Sequence, residues 1–173
     1  MGTTTMPLTE TEVRRALDVV IDPELDQPIT DLGFVRSVAV TAGHVEVHLR
    51  LPTSFCAPNF AYLMASDAQD ALRTVPDIGE VRVLLDDHHD SDKINAGLAA
   101  DAGYVGTFGA EAQESLDELR RTFLRKAHTA AMERCVSALL RRSLVDVSGI
   151  HLLTLRDLPE GREKSALLRR RIG

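Results

Sequence analysis

The sequence predicts an α+β fold: a small three-stranded, mostly antiparallel sheet with two helices on one face, followed by a mainly helical extension. Three observations carry this prediction. Apolar residues recur at helical spacing in residues 13–21 and 60–75, alternate with polar residues in three short runs, and return to helical spacing beyond residue 111. The order helix, strand, strand, helix, strand suits a sheet that is covered on one side.

The first helix has a clear start and stop. Thr9 and Glu12 have the spacing of a capping box, in which each side chain bonds the backbone N–H of the other residue. Pro23 ends the helix, because proline lacks a backbone donor and biases its predecessor away from helix. The chain through Pro28 is therefore predicted to be irregular.

Two strands follow, over residues 34–40 and 45–51, with a hairpin turn between them. In the second strand His44, Glu46 and His48 alternate with apolar residues and so share one face. Three such side chains suit a divalent metal. A solvated polar strand face is the simpler explanation of the same pattern.

Cys56 is predicted to lie where the second helix begins. Pro52 ends the second strand, and Pro58 suits the first turn of a helix. A thiol at this position faces unpaired N–H groups and the positive end of the helix dipole, which favour the thiolate that binds iron. The alternative is structural, since free cysteine is among the most buried residue types. The loop around it contains Thr53, Ser54, Phe55 and Cys56.

After a third strand over residues 81–85, the pattern predicts a connector loop over residues 87–110. The run at 86–92 holds four aspartates with His88 and His89, all of which are possible metal ligands. It lacks the fixed spacing of a known metal-binding loop, so a hydrated connector is the simpler explanation.

The predicted domains are residues 1–86, the connector, and an extension of unknown role over residues 111–173. Residues 1–92 contain 16 acidic and 6 basic residues, whereas residues 93–173 contain 10 and 14. The halves therefore carry net charges of −10 and +4, so the basic half is suited to docking on an acidic surface. Its long helix is predicted over residues 111–142, with His128, Met132 and Cys135 explained as core packing, and residues 150–155 are predicted to form a strand.

Composition argues against several classes of protein. Aromatic residues make up 4% of the chain and tryptophan is absent, which disfavours nucleic acid as a partner. No apolar run approaches the ~20 residues of a membrane span, and no export signal is visible. Two cysteines without such a signal predict reduced thiols and a cytoplasmic location. The absence of a phosphate loop, a nucleophile elbow and a Cys-x-x-Cys pair argues against an enzyme.

Three motifs occur in order with strands between them. They are Asp22-Pro23-Glu24 after the first helix, Asp31-Leu32-Gly33 before the first strand, and the loop from Thr53 to Pro58 that contains Cys56. From Thr9 to about Leu85 the chain resembles the SufT/PaaD family of metal-sulfur cluster biosynthesis proteins, which are iron-sulfur cluster assembly factors.

The resemblance implies a non-enzymatic factor that assists iron-sulfur cluster assembly or metal-cofactor maturation of client enzymes, and in which Cys56 contacts iron or a cluster transiently. Asp22, Glu24 and Asp31 match family positions and would add oxygen ligands or hold the cysteine loop. A single thiolate cannot retain a cluster, which normally takes four protein ligands. The resemblance therefore implies no permanent cofactor, and a cluster shared across a homodimer, completed by a partner, or held in passing.

The implied partners are a client metalloenzyme or other assembly proteins. Because the PaaD branch is associated with multicomponent oxygenases, one alternative is maturation of a diiron monooxygenase. An alternative of a different class is a metal-free protein-interaction scaffold. A third is a thiol enzyme in which His44 or His48 assists Cys56.

Overall fold

The computed structural model, which describes residues 8–112 and 115–169, builds its first unit on a sheet of three strands. The chain divides into two units, one ending at Leu116 and the other starting at Asp117. The helices and strands of the first unit are α1 (Glu10–Leu17), β1 (Ile21–Asp22), β2 (Gln27–Pro28), β3 (Val35–Thr41), β4 (His44–Arg50), α2 (Pro58–Arg73), β5 (Val81–Asp86), α3 (Ser91–Ala99) and α4 (Gly103–Phe108).

The capping box that begins α1 is confirmed. The Glu12 backbone N–H donates to Thr9 Oγ1 at 3.3 Å, and the Thr9 backbone N–H donates to Glu12 Oε2 at 2.9 Å. Val13 and Leu17 are fully buried on the inner side of the helix. They join the inward residues of β4 and β5 and the apolar face of α2 in one core.

The α+β class is confirmed, but the expectation of a mostly antiparallel sheet is wrong. Strand order is β3-β4-β5, with β3 antiparallel and β5 parallel to β4. A tight turn at Ala42 and Gly43, both with positive φ, reverses the chain between β3 and β4. Helix α2 instead carries the chain back to the starting edge, so β5 runs in the same direction as β4. Strands β1 and β2 form a second, two-stranded antiparallel sheet.

Residues 87–110 hold two helices where the sequence pattern suggests a connector loop. Ile94 and Leu98 of α3 and Phe108 of α4 are buried in the same core as the sheet. These apolar residues are few and lie among Gly and Ala, which explains why hydrophobic periodicity does not reveal the helices. Asn95 also fastens α3 to the end of β5, because its side chain bonds both the N–H and the carbonyl of Leu85, at 2.8 and 3.1 Å.

The second unit is mainly helical, as expected for the extension. It consists of α5 (Leu116–Arg141, which begins at the end of the first unit), a 3₁₀ segment (Val147–Leu152) and α6 (Arg162–Arg169). The strand predicted over residues 150–155 is wrong, because residues 150–152 belong to the 3₁₀ segment and residues 153–155 form no strand. The small core of the second unit contains Ala131, Cys135, Leu139, Leu158 and Leu167.

Cys135 is buried in the core of the second unit, in agreement with the packing role predicted for it, whereas Met132 is 47% exposed, so the same prediction is wrong for Met132. Across residues 8–112 and 115–169, none of the helices combines the length and the apolar character required to cross a bilayer.

The close approach of α3 and α4 at Gly97 gives a test of this packing. A Cβ atom at Gly97 would overlap the Thr107 side chain. We expect Gly97→Ala to lower the free energy of unfolding by about 1–3 kcal/mol, as overpacking does, although alanine favours helix. Urea denaturation measures the loss. The loss should be smaller when the double variant Gly97→Ala, Thr107→Gly is compared with Thr107→Gly alone, because the side chain that a Cβ atom at residue 97 would overlap is then absent. A stability equal to wild type for Gly97→Ala would contradict the packing.

Candidate functional site

Cys56 lies immediately before α2. Pro58 is the first residue of that helix and Ala57 is its N-cap, with no side chain bonded to the helix end. The Cys56 side chain is half-buried, whereas the preceding Phe55 is 84% exposed. The loop therefore presents an apolar ring to solvent directly beside the thiol.

The Asp-Pro-Glu motif forms a closed turn between β1 and β2. Asp22 is buried, and its Oδ1 atom accepts the backbone N–H groups of Glu24 at 2.9 Å and Leu25 at 2.8 Å. The Asp26 N–H donates to the Asp22 carbonyl at 2.9 Å. Asp22 thus fixes the backbone on which Glu24 sits, and Glu24 itself is exposed.

This turn lies close enough to Cys56 to act on it electrostatically. Burial raises the pKa of the Cys56 thiol, and the negative charges of Asp22 and Glu24 raise it further. A hydrogen bond from the Ala57 backbone N–H has the opposite, smaller effect. The expectation that the helix terminus would favour the thiolate is therefore wrong, because burial and two carboxylates outweigh one N–H group.

His88 holds the cysteine loop in place through hydrogen bonds to the backbone. Its side chain is buried, its Nδ1 accepts the Asp90 backbone N–H at 3.0 Å, and its Nε2 lies 2.8 Å from the Cys56 carbonyl oxygen. In the neutral ring, Nδ1 is the acceptor and Nε2 therefore carries the proton that is donated to Cys56. The adjacent His89 backbone N–H donates to the Ser54 carbonyl at 3.0 Å.

The sequence pattern suggests His88 and His89 only as possible metal ligands and does not reveal that they position the cysteine loop. Both ring nitrogens of His88 are engaged with the backbone, which leaves neither free for a metal. The signal that would reveal this role is the parallel pairing of β4 and β5, which places Arg50 beside Asp86. The loops that leave these two residues must start side by side.

Asp31 belongs to the second motif, in a different turn from Asp22 and Glu24. The described carboxylates that raise the pKa of Cys56 are Asp22 and Glu24, whereas Asp31 is exposed in the turn before β3. In that turn Gly33 has φ of +72°, a conformation that favours glycine. Its N–H donates to the Thr30 carbonyl at 3.1 Å.

A pocket of about 640 Å³ joins the Asp-Leu-Gly turn to the cysteine loop. The turn contributes Leu32 and Gly33, and the loop contributes Thr53 and Ser54. The pocket also includes Arg36, Arg50 and Asp87, of which Arg50 lies 3.0 Å and Arg36 3.7 Å from Asp87. The second and third motifs therefore share one surface.

The outward residues of β4 enter a network of ion pairs. His48 Nδ1 lies 2.9 Å from Asp86 Oδ1, and His48 Nε2 lies 3.2 Å from Glu46 Oε1. His44 instead approaches Glu80, at 3.3 Å, so the three side chains suggested as metal ligands do not converge. In the ranges 8–112 and 115–169, no group of three or more His, Cys, Asp or Glu side chains is arranged to hold a metal ion.

Comparison with known proteins finds similarity in the first unit. Residues 10–85 match the family model described as iron-sulfur cluster assembly protein. This range agrees with the resemblance noted from Thr9 to about Leu85. An iron-sulfur cluster carrier protein of Mycobacterium tuberculosis is 39% identical over 75 residues, which are 43% of this chain and 19% of the relative.

Two further relatives show how far the similarity extends. An iron-sulfur cluster carrier protein of Synechocystis is 33% identical over 78 residues, which are 45% of this chain and 22% of that protein. An uncharacterized protein of Methanocaldococcus jannaschii is 30% identical over 89 residues, which are 51% of this chain and 92% of the relative. The chain thus matches about a fifth of each of these two carrier proteins and nearly all of the archaeal protein.

The charges around Cys56 predict how its pKa responds to substitution. We expect Glu24→Gln to lower the pKa of Cys56, because one of the two carboxylates that raise it is neutralised. Alkylation by iodoacetamide at about pH 7.5 should then be faster, since the thiolate is the reactive form. Mass mapping separates Cys56 from Cys135, and Glu80→Gln, which neutralises the carboxylate beside His44, is the matched control. Equal alkylation rates in all three proteins would contradict the electrostatic assignment.

His48 predicts a pH-dependent contribution to stability. Its hydrogen bond to Asp86, more than that to Glu46, raises its pKa above the ordinary histidine value of 6.5. A raised pKa in the folded state stabilises the fold fully below the unfolded value, and the contribution is lost as pH rises through the folded value. The difference in unfolding free energy between wild type and His48→Gln should therefore be larger at about pH 5.5 than at about pH 8.5.

Urea denaturation at both pH values measures this difference. His44→Gln is the control, because the His44 side chain is 64% exposed beside Glu80 and should contribute less. A difference for His48→Gln that grows with pH would show that the charged ring does not stabilise the sheet face.

Proposed function

The chain belongs, through residues 10–85, to the iron-sulfur cluster assembly protein family, and from this premise we propose that it is a non-enzymatic accessory factor in cluster assembly or metal-cofactor maturation. In this proposal Cys56 contacts iron or an iron-sulfur cluster transiently, as cargo. The observation that carries the proposal is that Asp22 and Glu24 lie close enough to Cys56 to raise the pKa of its half-buried thiol. The names of the matched carrier proteins support the same cargo.

The negative charges of Asp22 and Glu24 near Cys56 favour the binding of a cation. Two negative charges and partial burial disfavour a third negative charge on sulfur, so the free thiol holds its proton. A ferrous ion at the same place would reverse this preference, because its positive charge stabilises the thiolate and both carboxylates together. Binding would then release the thiol proton to solvent, as expected when metal displaces protons from its ligands.

The two carboxylates have different roles in this proposal. Asp22 is buried and holds two backbone N–H groups with one oxygen, which makes it a positioning residue for the turn. Glu24 is exposed and is the more available oxygen ligand. Cys56 and Glu24 together supply two ligands, whereas a cluster normally takes four protein ligands. The remaining ligands would come from the protein that donates or receives the cargo, which favours transfer over storage.

The surface around Cys56 is suited to such a protein contact. Phe55 is 84% exposed next to the thiol, and Leu25 in the turn of Asp22 is 51% exposed. Aromatic side chains such as Phe55 are enriched at protein–protein interfaces. The proposal therefore places donor or client contact at these two loops.

Anaerobic titration with ferrous iron tests the role of Cys56. We expect wild type to bind iron with release of a proton, and Cys56→Ser to lose most of this uptake, since the thiolate ligand is gone. Cys135→Ser is the matched control, because Cys135 is buried in the second unit. Absorption spectra and pH-stat titration give independent readouts of the thiolate bond and of the released proton. Equal uptake by wild type and Cys56→Ser would overturn the metal role.

A metal-free interaction scaffold is a second candidate, favoured by the raised pKa of Cys56, which keeps an unloaded thiol protonated. It predicts that Cys56→Ser retains biological activity, whereas substitution of exposed Phe55 abolishes it. The class of client, an iron-sulfur enzyme or a diiron monooxygenase, is a separate question. Activity of each enzyme class in a strain that carries Cys56→Ser decides between the two.

A further inference from the structure

A groove of about 850 Å³ lies within the second unit, outside the range matched by the family model. One wall is α5 and the other is formed by residues 150–158 and by Leu167 of α6. The groove is mainly apolar. Its lining includes Met132, Val136, Ile150, Leu153, Leu155 and Leu158, together with the acidic Glu133.

The α5 wall continues along the helix beyond the groove. Leu124, His128, Met132 and Val136 recur at every fourth residue and therefore form one stripe. Leu124 and Met132 are each 47% exposed. Twelve residues of helix rise by about 18 Å. The stripe is thus as long as about three turns of a second helix, and longer than a small organic ligand.

One polar atom beside the groove lacks a partner. His128 Nδ1 is buried and accepts or donates no hydrogen bond within the described part of the chain. A buried polar atom without a partner is unfavourable. Because His128 lines the groove, it adds a polar group to a wall that is mainly apolar.

The charge of the second unit indicates the sign of that ligand. Residues 117–173 contain 13 basic and 7 acidic residues. Arg121 and Arg125 are exposed on α5 and lie one helical turn apart, and Arg125 is followed one turn later by Thr129 in the groove. Both arginines precede the groove along α5, two turns or more before Glu133, and are therefore placed to receive carboxylates from the part of a segment that lies over the start of the stripe.

We propose that this groove binds an amphipathic helical segment of an acidic protein partner. Apolar side chains of the segment fill the groove over Met132 and Val136, and its carboxylates pair with Arg121 and Arg125. The concave shape favours a helix over a lipid surface, since membrane-binding helices bury a convex apolar face. The proposal does not depend on Cys56 or on its cargo.

Fluorescence anisotropy with the full chain tests the proposal. The probe is a synthetic labelled helix of about 18 residues with leucines at helical spacing and glutamates beside them. Matched peptides replace every glutamate with lysine, or every leucine with serine. We expect the acidic apolar peptide to bind at least about tenfold more tightly than either control, and its affinity to fall with salt.

Protein variants locate the binding surface. We expect Met132→Glu and Arg125→Glu each to weaken the acidic peptide by about tenfold or more, because each removes one of the two kinds of contact. Leu144→Glu and Arg142→Glu are matched controls at exposed positions outside the groove, and should bind as wild type. Circular dichroism confirms that each variant is folded.

Equal binding of the three peptides, or unchanged binding by both groove variants, would overturn the proposal. So would binding to phosphatidylglycerol vesicles in the absence of peptide binding. Cys56→Ser should bind the peptide as wild type, which keeps this test independent of the iron titration.

Discussion

The parallel pairing of β4 with β5 is the constraint on which the candidate site depends. Parallel neighbours end at the same edge of the sheet, so the chain leaving Arg50 and the chain leaving Asp86 start side by side. The first becomes the cysteine loop and the second carries His88. The buried ring of His88 then donates a hydrogen bond to the Cys56 carbonyl, and the His89 backbone N–H donates to the Ser54 carbonyl. The cysteine loop is therefore held by residues more than 30 positions away in the sequence.

The turn between β1 and β2 explains the electrostatics of the thiol. A cysteine beside a helix start is expected to be acidic, yet here burial, Asp22 and Glu24 raise its pKa. A protonated thiol is less readily oxidised than a thiolate. The two nearby carboxylates also attract a cation, and binding of that cation would remove the thiol proton. These properties suit a residue that binds iron or a cluster only when the cargo is present.

The two units have different chemical characters. The first unit carries the family match, the acidic turn and Cys56, whereas the second is basic and carries the groove along α5. A factor that delivers cargo must recognise a protein as well as a metal. We infer that the first unit supplies the cargo contact and that the second supplies a contact with an acidic helical segment, so the two activities can be separated by substitution.

The sequence alone determined the features that depend on local patterns. Capping at Thr9, the alternation in β4 and the start of α2 at Pro58 follow from residues within a few positions of one another. It also identified the family through three short motifs. Only the tertiary structure decided the direction of β5, the burial of α3 and α4, and the contact of His88 with Cys56. Each of these joins residues that are distant in sequence, and the pKa of Cys56 depends on charges that folding brings together.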